Sequence, residues 1–320
     1  MRQLAFLFLS FGLTLAIVAR APLGKEVTEL VMADGDSVEL GEHLTVSLDT
    51  FTIPVYPSGA PRQYVSRVKV LDRETKELEA AEISVNHPLR KRGWWIYQYG
   101  YGLDEDDVFC TQLKCVKDPL VWLAAIGGLL VVLGAVLMCW TGRTGETPVP
   151  RGGAQRLVER ASRPFGQSVP RKALAWAAAL LTVALPAFII GRAVLRPEPV
   201  PALQSWLMAP HVAAYAASYV LLLFAAFGIG RRFVPVGFLL MTLGLVLGAV
   251  WGKLAWSEWW QFDPKENWSF LTWLAFATHL WFPPGSRAAK WALRIGAVLI
   301  VITLTFVNFS RYAVGLHSYA

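Results

Sequence analysis

Long runs of nearly unbroken apolar residues constrain this chain more than anything else in its sequence. Seven stretches stand out, at Leu4–Ala19, Leu120–Trp140, Ala173–Ile190, Val212–Ile229, Phe233–Val250, Trp268–Phe282 and Trp291–Phe309. A helix needs about 20 apolar residues to cross the hydrocarbon of a bilayer, with roughly 17 as a floor, so the first and sixth are short. A chain of 320 residues that is 55% hydrophobic and only 17% charged does not read as a disordered segment, a disulfide-rich miniprotein or an ordinary cytosolic enzyme. The expected fold is a mainly α membrane protein, a polytopic bundle of about seven spans. Leu4–Ala19 follows Arg2 and precedes Ala19-Arg20-Ala21, a small-residue cleavage pattern, so it reads either as a first span (or signal anchor) or as a signal peptide. Both readings send the following residues out of the cytoplasm.

The formal charge is +7, from 30 Lys and Arg against 23 Asp and Glu. Such an excess can mark a nucleic-acid binder. Here it sits in short segments between apolar runs, where it reads as a topology signal, and no nucleic acid is expected. The linker 141–172 carries Arg143, Arg151, Arg156, Arg160, Arg163, Arg171 and Lys172. The turn after the fourth stretch carries Arg231 and Arg232, and the turn after the sixth carries Arg287, Lys290 and Arg294. The alternate segments are poorer in positive charge, with Arg192 and Arg196, then Lys253 and Lys265, then Arg311. One orientation satisfies every loop, with the N-terminus inside and the C-terminus outside. The expected location is the bacterial inner membrane, with the working face extracytoplasmic.

Five blocks follow. Residues 1–20 form the first span and 119–140 the second, flanking an external domain at 21–118. A cytoplasmic linker, 141–172, leads to a five-span helical domain at 173–320. In the external block, apolar residues alternate at Leu44, Val46 and Leu48, then Phe51, Ile53 and Val55, and again at Val68 with Val70 and Ile83 with Val85. That period is a half-buried strand, and Asp34-Gly35 and Pro57-Ser58-Gly59 are turn signals, so a small antiparallel β domain is expected.

The most unusual segment is 251–268, expected to be an outward loop between the fifth and sixth spans. It holds Trp251, Trp256, Trp259, Trp260 and Trp268 with Phe262, five tryptophans and a phenylalanine in 18 residues. An interfacial aromatic belt uses fewer. A re-entrant aromatic anchor is one reading; a flat apolar platform for a large planar ligand is the other, with Lys265 or Lys253 pairing its acidic groups. His211, directly after Pro210, and His317, beyond the last span, flank this loop on the same face. Two neutral imidazoles beside an aromatic shelf suit axial ligation of haem iron. His279 lies in the sixth stretch near its cytoplasmic end, a costly position for an ionisable residue and a candidate ligand or relay. Asp263 and Glu266 offer polar support to the loop, or anchor Lys265, or cap the next helix. His43 and His87 read as surface or packing residues of the β domain.

Three cysteines and five histidines leave no room for a zinc cluster or an iron–sulfur framework. Cys110 and Cys115, outside the membrane and close in sequence, are expected to form a local disulfide, with exchange-active thiols as the alternative. Cys139 reads as packing. No Cys-x-x-Cys-His occurs, so the chain is not itself a c-type cytochrome.

The segment from Trp251 to Trp273 resembles the tryptophan-rich (WWD) signature of the haem-handling proteins of cytochrome c maturation. LMAPHVAAYAASYVLL around His211 and GLHSYA around His317 are similar to the CcsA (ResC) member of the system II pathway. VNHPLRKRGWWIYQYGYG, at 85–102, resembles the CcsB (ResB) partner, much shortened. The resemblance covers nearly the whole chain as a compact CcsB–CcsA fusion. It implies that His211 and His317 are external axial ligands, that Trp251, Trp256, Trp259, Trp260, Asp263 and Trp268 surround non-covalent haem b in transit, and that His279 belongs to an inner site. In fused relatives the second inner ligand comes from a span of the CcsB part, yet neither Leu4–Ala19 nor Leu120–Trp140 contains a histidine. The implied activity is that of a cytochrome c haem lyase (synthase) component. It would serve apocytochromes bearing Cys-x-x-Cys-His, with a thiol-reducing partner and a further membrane subunit as candidate associates. The alternative is a haem-binding, transport or assembly subunit without ligase activity.

Overall fold

The computed structural model describes residues 1–103, 108–143, 198–228 and 230–309. The third apolar stretch, most of the linker 141–172 and His317 lie outside the described residues. The first helix, α1 (Arg2–Val18), leads into eight strands: β1 (Glu26–Met32), β2 (Ser37–Leu40), β3 (Leu44–Thr52), β4 (Val65–Asp72), β5 (Leu78–Ser84), β6 (Leu89–Lys91), β7 (Trp94–Leu103) and β8 (Phe109–Lys117). Helices α2 (Val121–Arg143), α3 (Met208–Ala226), α4 (Val234–Trp256), α5 (Pro264–Trp281), α6 (Arg287–Leu304) and α7 (Phe306–Phe309) follow among the described residues.

The strands form two four-stranded antiparallel sheets, ordered β1-β8-β7-β6 and β2-β3-β4-β5. Alternation does the work expected of it: Leu44, Val46 and Leu48 of β3 and Val68 and Val70 of β4 all point into the space between the sheets. There they meet Leu30, Ile96 and Leu113 of the other sheet. Burying each such side chain is worth roughly 1.5–3 kcal/mol. A bulge between Leu48 and Thr50 breaks the strict alternation of β3. It lets Phe51 turn inward as well, since one extra residue resets the face of everything after it. The antiparallel β domain read from the sequence is therefore present, as a sandwich.

On the sandwich rim, the carboxylate of Asp72 accepts from the backbone N–H groups of Glu74 and Thr75 and pairs with Arg92. Those partners hold its pKa at about 2, the Arg92 guanidinium being the largest cause. The disulfide expected between Cys110 and Cys115 is not formed, and both side chains are buried. Both lie on β8, and a separation of five residues places them on opposite faces of the sheet. At about 3.3 Å per residue they are roughly 16 Å apart, well beyond the ~7 Å limit for bridging. Burial in the sandwich pushes the Cys115 thiol up to about 12.

Three described helices are long and apolar enough to cross a membrane: Val121–Thr141, Met208–Ala226 and Val234–Trp256. The chain is a membrane protein. Helices α1 to α6 share one core, in which Leu9, Val131, Leu222, Phe238, Trp273 and Ile300 each stand for one helix. Helices α1 and α2 touch backbone to backbone: a Cβ on Gly12 would fall 2.7 Å from the Gly127 carbonyl oxygen, and one on Gly127 2.6 Å from that of Gly12. Close approach of this kind substitutes for a hydrophobic drive between helices in lipid, where tails are as apolar as leucine.

Candidate functional site

The tryptophan-rich segment is only partly a loop. Helix α4 continues to Trp256 and stops at Ser257, which takes a left-handed conformation at φ 70°. The expected start of the loop at Trp251 is thus corrected to Ser257. The extra helical turns are held because Trp251 and Ala255 pack with Leu203 and Leu207 in a small apolar cluster. The connection then ends at Asp263, the N-cap of α5. Its carboxylate accepts from Lys265 N at 2.8 Å, and Glu266 closes a capping box by accepting from Asp263 N at 3.2 Å. Of the roles considered for Asp263 and Glu266, the structure supplies helix capping, and the Asp263 carboxylate also favours the charged form of Lys265.

His211 opens α3, where Pro210 is tolerated because the first turn needs no N–H from it. Its Nδ1 lies 2.8 Å from the Gly244 carbonyl oxygen on α4. A carbonyl only accepts, so Nδ1 carries a proton, and in the neutral form of the ring the lone pair is on Nε2. The ring fits against α4 because position 248 is glycine: a Cβ there would stand 2.5 Å from His211 Cε1. Tyr215, one turn on, fills the matching notch at Gly244, and packs edge-on to His211 at 5.3 Å between centroids. Trp251 covers the imidazole at 5.9 Å, and Trp256 packs on Trp251 at 4.9 Å.

These two indoles are tilted by 56° to one another, so they do not form the single flat shelf expected. Trp251 is buried, and its N–H donates to the Ala202 carbonyl at 3.1 Å. Trp260 faces inward at the head of an aromatic ladder through Phe270 and Trp273 to Phe238. Trp259 is half-buried, and its indole N–H, like the Ser257 hydroxyl, is enclosed without a hydrogen-bond partner among the described residues. Trp268 lies half-buried early in α5.

Lys253 does not offer itself to a ligand. It is 2% exposed, its Nζ donates to the Ser257 carbonyl at 2.8 Å, and it rests over the rings of Trp95 and Tyr97 on β7. It is one of several ties between the sandwich and this end of the bundle. Lys25 pairs with Glu258 at 2.7 Å, and Arg20 lies over Phe262. Tyr56 OH donates to the Pro199 carbonyl at 3.0 Å, and Gln204 Nε2 donates to the Arg62 carbonyl at 2.6 Å. Asn86 donates to the carbonyls of Pro201 and Ala202 at 3.0 and 3.2 Å. A cavity of about 450 Å³ remains at this junction, between Tyr64, Gln98, Tyr99 and Tyr101 of the sandwich and Pro201, Ala202 and Trp256 of the bundle.

His279 sits far along α5, half-buried, with Nδ1 at 2.7 Å from the Ala289 carbonyl of α6. The same argument places its lone pair on Nε2. His43 and His87 are exposed on the sandwich, as expected. The positions that sequence reading missed are Gly248, Gly244 and Asn86. The two glycines did leave a signal, a Gly-x-x-x-Gly spacing inside an apolar helix.

The geometry defines a class: a membrane helical bundle whose tryptophan-rich end is tied to a β-sandwich. Residues 227–318 match the family described as Cytochrome C assembly protein, and residues 8–110 match the ResB-like family. Over 90 residues, 28% of this chain, it is 42% identical to the cytochrome c biogenesis protein CcsA of Prochlorococcus marinus strain MIT 9303. It is 39% identical over the same length to that of Synechococcus sp. strain WH7803. The matched part spans only 28% of either relative's own length. The chain joins a ResB-like region to a cytochrome c assembly region, the composition of a CcsB–CcsA fusion of the system II type.

Proposed function

We propose that the chain works in cytochrome c maturation, holding haem at its extracytoplasmic face and presenting it to apocytochromes that carry Cys-x-x-Cys-His. The observation that carries this reading is the seat of His211. A neutral imidazole with its lone pair on Nε2 is wedged between a glycine notch and an indole, beside a loop that encloses the Trp259 N–H. Those residues suit a porphyrin: a nitrogen ligand for iron, indole faces for the ring, and a polar donor inside an apolar surround. The second axial ligand is assigned to His317. Attachment adds each cysteine thiol across a haem vinyl group. The residues of this chain contribute orientation and exclusion of water.

The reading includes seven spans, the N-terminus inside, the sandwich and the loop outside, and haem b held non-covalently. His279 marks an inner station that is weak, transient or completed by a further subunit, because α1 and α2 contain no histidine. Purified protein should then show a low-spin bis-imidazole absorption spectrum. His211→Gly and His317→Gly should each abolish it, and added imidazole should partly restore it. A spectrum that survives both substitutions overturns the external site. Co-expression with a Cys-x-x-Cys-His reporter in cells lacking maturation genes separates ligation from storage: covalent haem on the reporter supports a lyase component, and haem on this protein alone supports a binding or transport subunit. Reporter fusions after Gly152 and after Ser257 should fall on opposite sides of the membrane.

A further inference from the structure

Asn86 stands at the tip of the turn between β5 and β6, in the left-handed region at φ 71°, a conformation that asparagine tolerates better than most residues. It is 7% exposed, although it belongs to the sandwich rim and carries a polar side chain. Its amide is spent on two carbonyls of a different part of the chain, Pro201 at 3.0 Å and Ala202 at 3.2 Å. The Ala202 carbonyl accepts a second bond, from the Trp251 indole N–H at 3.1 Å. The Trp251 ring in turn lies 5.9 Å from the His211 ring. One carbonyl oxygen thus links a residue of the sandwich to the indole that covers the imidazole.

We infer that Asn86 is a positioning residue for His211. It holds the Pro201–Ala202 peptide in place, that peptide fixes the Trp251 indole, and the indole closes the face of His211 that Gly248 does not. The ResB-like region would then set the ligand geometry of the cytochrome c assembly region without touching the ligand. The inference rests on the reading of His211 as a haem ligand. It predicts a particular asymmetry among the ties between sandwich and bundle. Asn86 reaches the Ala202 carbonyl, whereas Tyr56 reaches Pro199 at the same junction and has no bond to Trp251's acceptor.

The test uses the purified full-length chain titrated with haemin. Asn86→Gly keeps the left-handed backbone and removes the amide. Asn86→Asp keeps the shape but puts an acceptor opposite two acceptors. Both should weaken haem binding about five- to tenfold, the loss of one to two buried hydrogen bonds, and convert part of the low-spin spectrum to high spin. Added imidazole should return that fraction to low spin. Trp251→Phe, which keeps a ring but loses the donor, should do the same, and the Asn86→Gly/Trp251→Phe pair should be no worse than the poorer single variant. Tyr56→Phe should leave affinity and spin state unchanged. The inference is overturned if both Asn86 variants match wild type while His211→Gly loses the spectrum. It is equally overturned if Tyr56→Phe shifts spin state as far as they do, since the effect would then be general loosening. An intact low-spin spectrum in His211→Gly sinks the ligand assignment and this inference together.

Discussion

His211 and His279 each sit on one helix and reach with Nδ1 for a main-chain carbonyl of the next, at 2.8 Å to Gly244 and 2.7 Å to Ala289. In both, an acceptor that cannot donate sets the tautomer and leaves the lone pair on Nε2. The surroundings differ. His211 has a glycine notch behind it, an indole over it and, through Ala202, a second domain bearing on that indole. His279 is tied to α6 through the Ala289 carbonyl, and among the described residues it is not next to a glycine notch in the way His211 is next to Gly248. The lesson is that tautomer control takes a single hydrogen bond, whereas control of ring position takes contacts on several sides.

The largest expected effect separates the two histidines outright. His211→Gly should abolish haem loading whatever the supply, with partial recovery in imidazole. His279→Ala should reduce loading less when haem is added from outside, and as severely when haem comes only from cytoplasmic synthesis. Equal losses from both variants under external supply would break the contrast, and no loss from His279→Ala under either regime would make that residue packing. Next in size is Gly248→Ala. The new methyl would stand 2.5 Å from the imidazole, and overpacking of about 1–3 kcal/mol corresponds to a haem affinity lower by roughly five- to 150-fold, read by titration. An affinity unchanged by Gly248→Ala would mean the ring is not held against α4.

Smaller effects should appear at the sandwich and reach only His211. Glu258→Gln removes the negative charge 2.7 Å from the Lys25 amine. A partly exposed pair of this kind is worth at most about 1 kcal/mol, so haem affinity at the outer site should fall less than about fivefold, and more at low salt than at high salt. The smallest effect concerns Asp72. Its pKa of about 2 lies below the ordinary carboxylate value near 4, so the stability it adds is fully present above about pH 4 and is lost as pH falls toward 2. Limited proteolysis of the full chain should show the sandwich opening over that window. Asp72→Asn should be more susceptible than wild type at neutral pH, and the difference should close on acidification.

Much of this was legible in the residues. Strand alternation at Leu44, Val46 and Leu48 and the apolar runs are local patterns, and local patterns survive folding when a single face or a whole helix is buried. The disulfide was misread because two cysteines close in sequence were counted without assigning them to a strand, where an odd separation sends them to opposite faces. Lys253 was misread for a different reason. A cation near the end of a helix looks available to a ligand, and nothing nearby announces that Trp95 and Tyr97, more than 150 residues earlier, will close over it. The end of α4 was set too early because Trp251 marks an interface by composition, while the cluster with Leu203 and Leu207 that extends the helix is tertiary. Asn86 left no signal of its own: its partners are backbone carbonyls, which carry no sequence identity.

The places where the chain enters and leaves the sandwich lie side by side. Glu26 is paired with Lys117, and a Cβ on Gly24 would come 3.3 Å from Pro119 Cγ. Below them, α1 and α2 are already closed on each other at Gly12 and Gly127. The whole β domain is therefore a cassette inserted at the bend of a helical hairpin, and the hairpin needs nothing from it to close. Because the entropy of closing a loop grows only slowly with its length, the hairpin is nearly indifferent to how many residues are looped out above it. Residues can therefore be added to or removed from the β domain without moving this mount, so long as Asn86 still reaches the Ala202 carbonyl and Trp95 and Tyr97 still seat Lys253.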